Sequence, residues 1–296
     1  MIIGHKKIIN NLKKSLDKDG VSQAYLFYGP EGVGKYLVAL YFSKIILGEK
    51  LQPFEKKMNP DLIIIKPEIE EIKGITRKKE IKIEKIRELQ HQLMLTSFGK
   101  RFRIAIIDEA DKLNRSSQNA FLKTLEEPRE NLVIILVTSN PQKLLPTIIS
   151  RCQKVRFNLV SKEEMASQIN EVNESKDELI FWSLGRPGFM KILSENKEEL
   201  DYRRECVKEL NGLLNQNISD KFKLAEAMSK DTTQAIKKLD LWLVLARESL
   251  IGKKGLAKIN AEKSFEIIEL ISKANRLLKD TNSNARFVLE NLFLRF

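Results

Sequence analysis

The sequence predicts an N-terminal α/β domain built on a parallel β-sheet, followed by a small helical region and an all-α C-terminal domain. An apolar run leads directly into Gly29–Lys35, which fits the phosphate-binding pattern G-x-x-x-x-G-K. Short apolar runs then alternate with helical patterns as far as Phe157, which is typical of a doubly wound parallel sheet. Beyond Asp201 only helical periodicity is found. The predicted domains are residues 1–158, 159–200 and 201–296.

The composition is that of an ordinary soluble protein with more than one compact unit. The chain has 296 residues, of which 42% are hydrophobic and 31% charged. Its two cysteines, Cys152 and Cys206, are too far apart in sequence to suggest a disulfide framework, which favours a reducing cytoplasm. The start of the chain turns polar at once, and no apolar run is long enough to cross a bilayer. We therefore expect neither a secretory signal nor a membrane partner.

The net charge of +12 is unevenly distributed. Residues 1–158 carry +11, residues 159–200 carry −4 and residues 201–296 carry +5. Such a balance favours a polyanionic partner such as DNA. A Lys/Glu-rich surface from an AT-rich or heat-adapted genome would produce the same composition. Composition alone leaves these two explanations open.

The first elements of the α/β domain are predicted from the spacing of apolar residues. Apolar side chains recur every three or four positions in Ile2–Leu16, which indicates a helix. Ala24–Tyr28 is apolar throughout, as expected of a strand buried on both faces, and a helix follows the phosphate-binding loop to about Leu47. A second buried strand is predicted over Asp61–Lys66, and the charged segment Pro67–Glu80 is predicted to be irregular and exposed.

The loop after the first strand is predicted to cradle phosphates with its backbone N–H groups at the start of a helix. Its predicted nucleotide-contacting residues are Gly29, Pro30, Gly32, Gly34 and Lys35. The pattern then calls for Ser or Thr, whose hydroxyl binds Mg²⁺, but the chain has Tyr36. The loop therefore looks suited to phosphates and poorly equipped to use a metal.

A second informative stretch begins at Arg103, where a β-branched run ends in two adjacent acids, Asp108 and Glu109. In P-loop proteins the acid at the end of this strand holds Mg²⁺, and a following glutamate can polarise the attacking water. The alternative is a buried strand followed by an acidic helix N-cap. The presence of the phosphate-binding loop favours the first interpretation.

The remaining elements of this domain again alternate, with helices predicted over residues 83–98, 114–125 and 143–149 and strands over 132–138 and 153–157. Thr138 ends a buried strand and Asn140 follows it, at the sheet edge where ligands bind in open α/β folds. Either could meet a γ-phosphate, and the alternative for Asn140 is a simple turn residue before Pro141. Arg151 is a candidate charge-stabilising arginine for a γ-phosphate. Spacing alone would favour a surface ion pair for Arg151.

The rest of the chain is predicted to be helical. Three short helices are expected over residues 161–198, with a turn at Gly185–Gly188, and four or five amphipathic helices over residues 201–296. Trp182 and Trp242 are predicted to be core residues rather than ligand platforms.

Several of these stretches together resemble the AAA+ subunits of DNA clamp loaders. They are the phosphate-binding loop, the acidic strand end Asp108–Asp111, the segment Asn119–Pro128, and Pro146–Cys152 with its Ser-Arg-Cys motif. Within that group the chain is most similar to the delta-prime subunit family of bacterial DNA polymerase III. The narrower resemblance lies in Ile2–His5, Asn59–Asp61 and residues 282–296.

The resemblance implies a RecA-like AAA+ nucleotide domain, a helical lid and a C-terminal collar domain that joins a pentamer with tau/gamma and delta subunits. Such a pentamer opens a ring-shaped sliding clamp and places it on primed DNA for the replicative DNA-directed DNA polymerase, a nucleotidyltransferase. Delta-prime subunits commonly do not hydrolyse ATP. They present the arginine of the Ser-Arg-Cys motif, here Arg151, to ATP bound by a neighbouring subunit. A polymerase site is not expected in this chain, nor is more than slight ATPase activity.

Three departures from the family pattern bear on cofactors. Tyr36 fits a subunit that has lost turnover, so we expect weak ATP or ADP binding at most and no required cofactor. Many relatives hold zinc with four cysteines, but residues 48–60 contain no Cys or His, so no zinc is expected. ATP-using relatives place a lid arginine where this chain has Gly188. Because Arg186 is displaced by two residues, a lid contact to the chain's own nucleotide is not expected.

Two other functions stay open from the sequence. One is an autonomous ATPase motor subunit of the tau/gamma type, which Lys35, Asp108 and Glu109 favour and which Tyr36 and Gly188 oppose. The other is a DNA-binding module driven by the basic N-terminal half, although no base-stacking aromatic run or helix-turn-helix pattern accompanies that charge.

Overall fold

A computed structural model describes most of the chain, and its residues fall into two compact units, 1–192 and 193–296. The described residues are 2–17, 20–49, 59–72, 75–94, 102–127, 129–167, 175–213, 216–250, 257, 259–280 and 283–296. The predicted division into three domains, with boundaries at 158 and 200, stays a prediction. No helix of the described residues is long and apolar enough to cross a membrane.

The first unit is built on a five-stranded sheet in which every neighbouring pair is parallel. The strands in chain order are β1 (Ala24–Tyr28), β2 (Leu62–Ile65), β3 (Ile69–Ile72), β4 (Ile75–Lys78), β5 (Arg103–Ile107), β6 (Leu132–Thr138) and β7 (Gln153–Arg156). The order across the sheet is β2-β5-β6-β1-β7, and β3 pairs only with β4. The predicted parallel sheet is confirmed.

The helices of the chain are α1 (Lys6–Asp17), α2 (Lys35–Ile46), α3 (Ile83–Met94), α4 (Arg115–Glu126), α5 (Pro146–Ser150), α6 (Lys162–Ala166), α7 (Ser175–Ser183), α8 (Pro187–Glu195), α9 (Lys197–Leu213), α10 (Ile218–Ser229), α11 (Thr232–Leu250), α12 (Ala261–Asp280) and α13 (Ala285–Leu294). The predicted end of the third helix near Phe98 lies outside the described residues.

The central strands are apolar on both faces because helices cover both sides of the sheet. On one face α1 and α2 contribute Leu12, Val38 and Phe42 to the core. On the other face α3, α4 and α5 contribute Ile86, Phe121 and Ile148. This two-sided packing explains why β5 and β6 are buried along their whole length.

Two sequence-based expectations for the first unit are wrong in detail. The segment after β2 is not irregular, since Ile69–Ile72 and Ile75–Lys78 pair as an antiparallel hairpin. Isoleucine and threonine favour extended backbone, whereas their charged neighbours are typical of an exposed loop. The first helix begins at Lys6 rather than Ile2 because Gly4 and His5 have left-handed backbone with φ of 75° and 60°. The His5 Nε2 atom lies 2.8 Å from the carbonyl oxygen of Val33, which ties this start to the phosphate-binding loop.

The helical part of the chain matches its prediction. Three short helices, α6 to α8, are described within residues 161–198, and five helices follow. In the second unit α11 packs on α12 and α10 packs on α13. Trp182 and Trp242 are both fully buried, as predicted, and the Trp242 indole N–H donates to the carbonyl oxygen of Cys206 at 2.9 Å.

Candidate functional site

A cleft opens at the carboxyl ends of β1, β5 and β6, where the loops that follow these strands meet. This is the edge at which ligands bind in open α/β sheets. Six predicted site residues line the cleft: Gly32, Gly34, Lys35, Asp108, Glu109 and Asn140. Gly29 and Pro30 belong to the same loop, and their carbonyl oxygens accept hydrogen bonds from Lys35.

The phosphate-binding loop has the backbone that its glycines predict. Gly29, Gly32 and Gly34 have φ of 145°, 77° and 102°, values that glycine adopts easily and other residues rarely do. A side chain at position 29 would also place its Cβ atom 2.1 Å from the carbonyl oxygen of Phe157. The loop therefore passes close to the backbone of Phe157 and places Lys35 as the first residue of α2.

The ammonium of Lys35 is held inside this loop. Lys35 Nζ donates to the carbonyl oxygens of Gly29 and Pro30 at 2.8 and 2.6 Å and to Ser139 Oγ at 3.1 Å. Burial lowers the pKa of Lys35 from 10.5 to about 8, although the nearby carboxylates of Glu31, Asp108 and Asp111 oppose that shift. The lysine is thus pre-positioned at the loop, and its charge is costly to keep there.

The position after Lys35 does not offer the oxygen that a magnesium site needs. Tyr36 is partly buried and packs against the hydrophobic core, and the Lys66 ammonium lies 3.7 Å from the centroid of its ring. The same ammonium lies 3.8 Å from Asp108 Oδ2. Burial raises the pKa of the Asp108 carboxyl, while Lys66 opposes the shift. These residues do not fit a divalent metal, and no described group of three or more His, Cys, Asp or Glu side chains is arranged to hold one.

Glu109, which stands at the position of a water-polarising glutamate, also has a cationic partner in the chain. The Lys78 ammonium, at the end of the β3–β4 hairpin, donates to Glu109 Oε1 at 2.8 Å and lies 3.8 Å from Glu31 Oε1. The hydrogen bond to Glu109 raises the pKa of Lys78. Glu109 itself has left-handed backbone with φ of 52°, which costs an ordinary residue about 1 kcal/mol. The hairpin that the sequence analysis missed thus supplies a cation to this acid.

Side chains at the end of β6 and just after it contact a third acid of the cleft, Asp111. Thr138 Oγ1 donates to Asp111 Oδ1 at 2.6 Å, and Asn140 Nδ2 lies 3.4 Å from Asp111 Oδ2. The backbone N–H of Asn140 also donates to Thr138 Oγ1 at 2.9 Å. Asn140 is therefore a member of a hydrogen-bonded group at the cleft as well as a turn residue before Pro141.

The turn at residues 185–188 packs on the phosphate-binding loop. The backbone N–H of Gly188 donates to the carbonyl oxygen of Gly32 at 2.8 Å. A Cβ atom at position 188 would lie 2.9 Å from that oxygen, so the close approach requires glycine. Arg186 lies beside Gly32 as well, and its positive charge contributes to the lowered pKa of Lys35.

Arg151 lies near the amino ends of the strands, at the edge of the sheet opposite to the cleft. It follows α5, its Nη2 atom forms an ion pair with Glu126 Oε1 at 2.8 Å, and its Nη1 donates to the carbonyl oxygen of Thr147 at 3.0 Å. Its side chain is exposed, and it lines a small cleft with Ser22 and Gln23, which precede β1.

The strand register separates Arg151 from the chain's own phosphate-binding loop. Gln153 pairs with Tyr25 near the start of β1, whereas the loop follows Tyr28 at its end. At about 3.3 Å per residue, the length of β1 alone is about 16 Å. Arg151 therefore lies near the start of β1, at the opposite end of that strand from the phosphate-binding loop.

Sequence reasoning did not single out Lys78 and Ser139, which line the cleft, or Lys66, which lies beside Asp108. Lys66 could have been found, since it directly follows β2, and β2 and β5 pair so that Ile65 stands opposite Ile107. Lys78 could not, because it reaches the cleft only through the hairpin.

Comparison with known proteins places this architecture in a family. Residues 4–161 match the family model described as DNA polymerase III, delta subunit. The chain belongs to this family. The resemblance to clamp-loader AAA+ subunits drawn from the motifs is thereby confirmed.

Two curated relatives of this DNA polymerase III family member come from Bacillus subtilis (strain 168). The chain is 25% identical to DNA polymerase III subunit tau over an alignment of 329 positions that covers 95% of this chain and 58% of tau. It is 29% identical to DNA polymerase III subunit delta' over an alignment of 261 positions that covers 82% of this chain and 76% of that subunit. A crystal structure of a DNA polymerase III gamma subunit-related protein from Thermotoga maritima covers 97% of both chains with a TM-score of 0.50 and 20% identity, and it supports the fold alone.

Proposed function

We propose that this chain is a clamp-loader subunit of the delta-prime type in the bacterial replicative DNA polymerase holoenzyme. In this role it is a rigid AAA+ stator of a hetero-pentamer with tau/gamma and delta subunits. The assembly loads the sliding clamp on primed DNA, and this chain supplies Arg151 to ATP bound by its neighbour. Membership of the DNA polymerase III family and the similarity to both tau and delta' support the assembly.

The observation that carries the proposal is the position of Arg151. The guanidinium is exposed at the sheet edge opposite the chain's own cleft, which supports a role at an ATP site of another subunit rather than at its own. A guanidinium can stabilise the negative charge that develops on a transferring γ-phosphoryl group. The exposed ion pair with Glu126 holds the side chain and is weak enough to be exchanged for phosphate oxygens, since exposed pairs contribute at most about 1 kcal/mol.

The cleft of this chain supports the stator half of the proposal. Asp108 and Glu109, the two acids that a working ATPase would use, lie beside Lys66 and Lys78. Tyr36 offers no aliphatic hydroxyl to a metal. A site with these contacts binds phosphates through the loop without being equipped to activate water.

The test is ATP hydrolysis by the motor subunits reconstituted with sliding clamp, primed DNA and this chain, comparing wild type with Arg151→Ala. Because an arginine finger contributes roughly 10³–10⁵ to the rate, we expect the stimulated turnover at the facing ATP site to be lost. Arg156→Ala is the matched control, since it removes another exposed arginine from β7. Assembly is followed by size-exclusion chromatography.

Unchanged turnover with Arg151→Ala in an intact assembly would remove Arg151 from the mechanism. The second candidate, an autonomous motor of the tau/gamma type, would then gain weight, because Lys35, Asp108 and Glu109 do line one cleft. ATP turnover by the isolated chain separates the two candidates. A stator gives none above background, whereas a motor gives turnover that Lys35→Met abolishes.

A further inference from the structure

We propose that the Lys66 ammonium, which lies beside Tyr36 and Asp108 of this cleft, takes the place of Mg²⁺, so that the cleft binds a nucleoside di- or triphosphate free of divalent metal. The inference concerns the chain's own cleft, and it does not depend on Arg151, which lies at the opposite sheet edge. The cleft combines a complete phosphate-binding loop with a metal position that the present side chains do not fit.

The ammonium is close to both residues that stand at the positions from which a P-loop protein holds Mg²⁺. These positions are the residue after the loop lysine and the acid that ends the neighbouring strand. Here they are Tyr36 and Asp108, and Lys66 Nζ lies 3.7 Å from the ring centroid of the first and 3.8 Å from a carboxylate oxygen of the second. A cation over an aromatic face and beside a carboxylate is attracted by both.

The backbone places Lys66 there by the sheet register. Ile65 and Ile107 are paired residues of β2 and β5, and the backbone N–H of Asp108 donates to the carbonyl oxygen of Ile65 at 2.9 Å. Lys66 and Asp108 therefore leave adjacent strands side by side at the ligand-binding edge. Tyr36 is fixed independently, since it lies in the first turn of α2 and packs on the core.

The same arrangement disfavours a divalent ion. Mg²⁺ binds carboxylate oxygens at about 2.1 Å, so an ion on Asp108 Oδ2 would lie within about 6 Å of the Lys66 ammonium. Like charges at that separation repel, and Tyr36 supplies no ligand oxygen in compensation. A polyphosphate without metal is instead attracted to the cleft, because Lys66 adds a positive charge to that of Lys35.

The test is equilibrium binding of ADP and ATP to the full chain, measured by calorimetry in excess EDTA and again in excess Mg²⁺. For wild type we expect binding in EDTA that Mg²⁺ does not tighten. Lys66→Met removes a charge-assisted contact and should weaken binding in EDTA about ten-fold, while Lys66→Arg should retain it. Lys154→Met is the matched control, since it removes the charge of an exposed lysine on β7.

A second measurement reads the metal directly. The Mn²⁺ electron paramagnetic resonance signal, recorded with ADP present, should show no protein-bound ion for wild type. In the double variant Tyr36→Thr/Lys66→Met the hydroxyl is restored and the ammonium removed, so a bound Mn²⁺ signal should appear and ADP affinity should become metal-dependent. Circular dichroism checks that each variant is folded.

Three results would overturn the inference. The first is nucleotide binding that requires Mg²⁺ in the wild-type chain. The second is binding in EDTA that is equal in wild type and Lys66→Met. The third is the absence of any nucleotide binding by the folded wild-type chain, which would leave Lys66 as an ion-pair partner of Asp108 only.

Discussion

Single side chains decide what this cleft can do, because each of its acids already has a partner in the chain. Asp108 lies beside Lys66, Glu109 is paired with Lys78, and Asp111 accepts from Thr138. Removing one partner of such a pair exposes the other charge to the ligand, so the partners set the affinity as much as the loop does.

The protonation of Lys35 gives the cleft a pH dependence. Its pKa is about 8 in the ligand-free chain, and a bound phosphate favours the charged form. Nucleotide affinity should therefore be nearly constant below that pH and fall as the pH rises above it. Binding of a fluorescent ADP analogue between about pH 7.5 and 9.5 measures this, and Lys35→Arg should give a flat profile because arginine stays protonated. An equal decline in both proteins would contradict the assignment to Lys35.

The same shift affects stability with a definite sign. Because the pKa of Lys35 is lower in the folded chain than its ordinary 10.5, the unfolded chain binds more protons between about pH 8 and that value. The contribution of this one group therefore makes folding more favourable as the pH rises through that interval. Below it, the folded chain bears the cost of a buried charge.

At the scale of elements, the contact between the 185–188 turn and the phosphate-binding loop is the most sensitive to a small change. Gly188→Ala would bring its Cβ within 2.9 Å of the Gly32 carbonyl oxygen, so one of the two segments must shift. We expect the free energy of unfolding of the first unit to fall by about 1–3 kcal/mol. Urea unfolding followed by Trp182 fluorescence, in a Trp242→Phe background, measures that unit separately.

The same substitution in the last turn of a helix serves as the control. Gly212 lies in α9, and a Cβ there would meet nothing closer than the Gln216 Nε2 atom at 3.7 Å. Gly212→Ala should stabilise the second unit by about 0.5–1 kcal/mol, because alanine has the better helix propensity. Destabilisation by both substitutions to the same extent would show that the approach of Gly188 to Gly32 is not the cause.

The sequence predicted those elements whose signal is local. The strands around the loop are continuous apolar runs, and the helices of the second unit carry a clear periodicity, so both were found. The β3–β4 hairpin was missed because its charged residues concealed a β-branched pattern. Lys78 was missed because its role comes from the hairpin, which no window of sequence contains, whereas Lys66 could have been found from its place directly after β2.

At the scale of the whole molecule, the charge of +12 predicts a non-specific affinity for DNA. We expect the isolated chain to bind unrelated duplexes equally and weakly. Neutralising only two phosphates makes the affinity fall about ten-fold between about 50 and 200 mM salt. Fluorescence anisotropy with two duplexes of different sequence measures both properties, and a neutral solute at matched osmolality is the control. Binding that is selective for sequence would favour a dedicated DNA-binding module, and no binding would assign the charge to surface composition alone.

The contacts of Lys66 have a consequence for how this chain can change over evolutionary time. A hydroxyl at position 36 alone would leave the Lys66 ammonium beside Asp108, and loss of the lysine alone would leave the partly buried Asp108 carboxylate without that cation while position 36 is still a tyrosine. Neither single step yields a working metal site. If the proposal for Lys66 holds, we expect positions 36, 66 and 108 to change together among relatives.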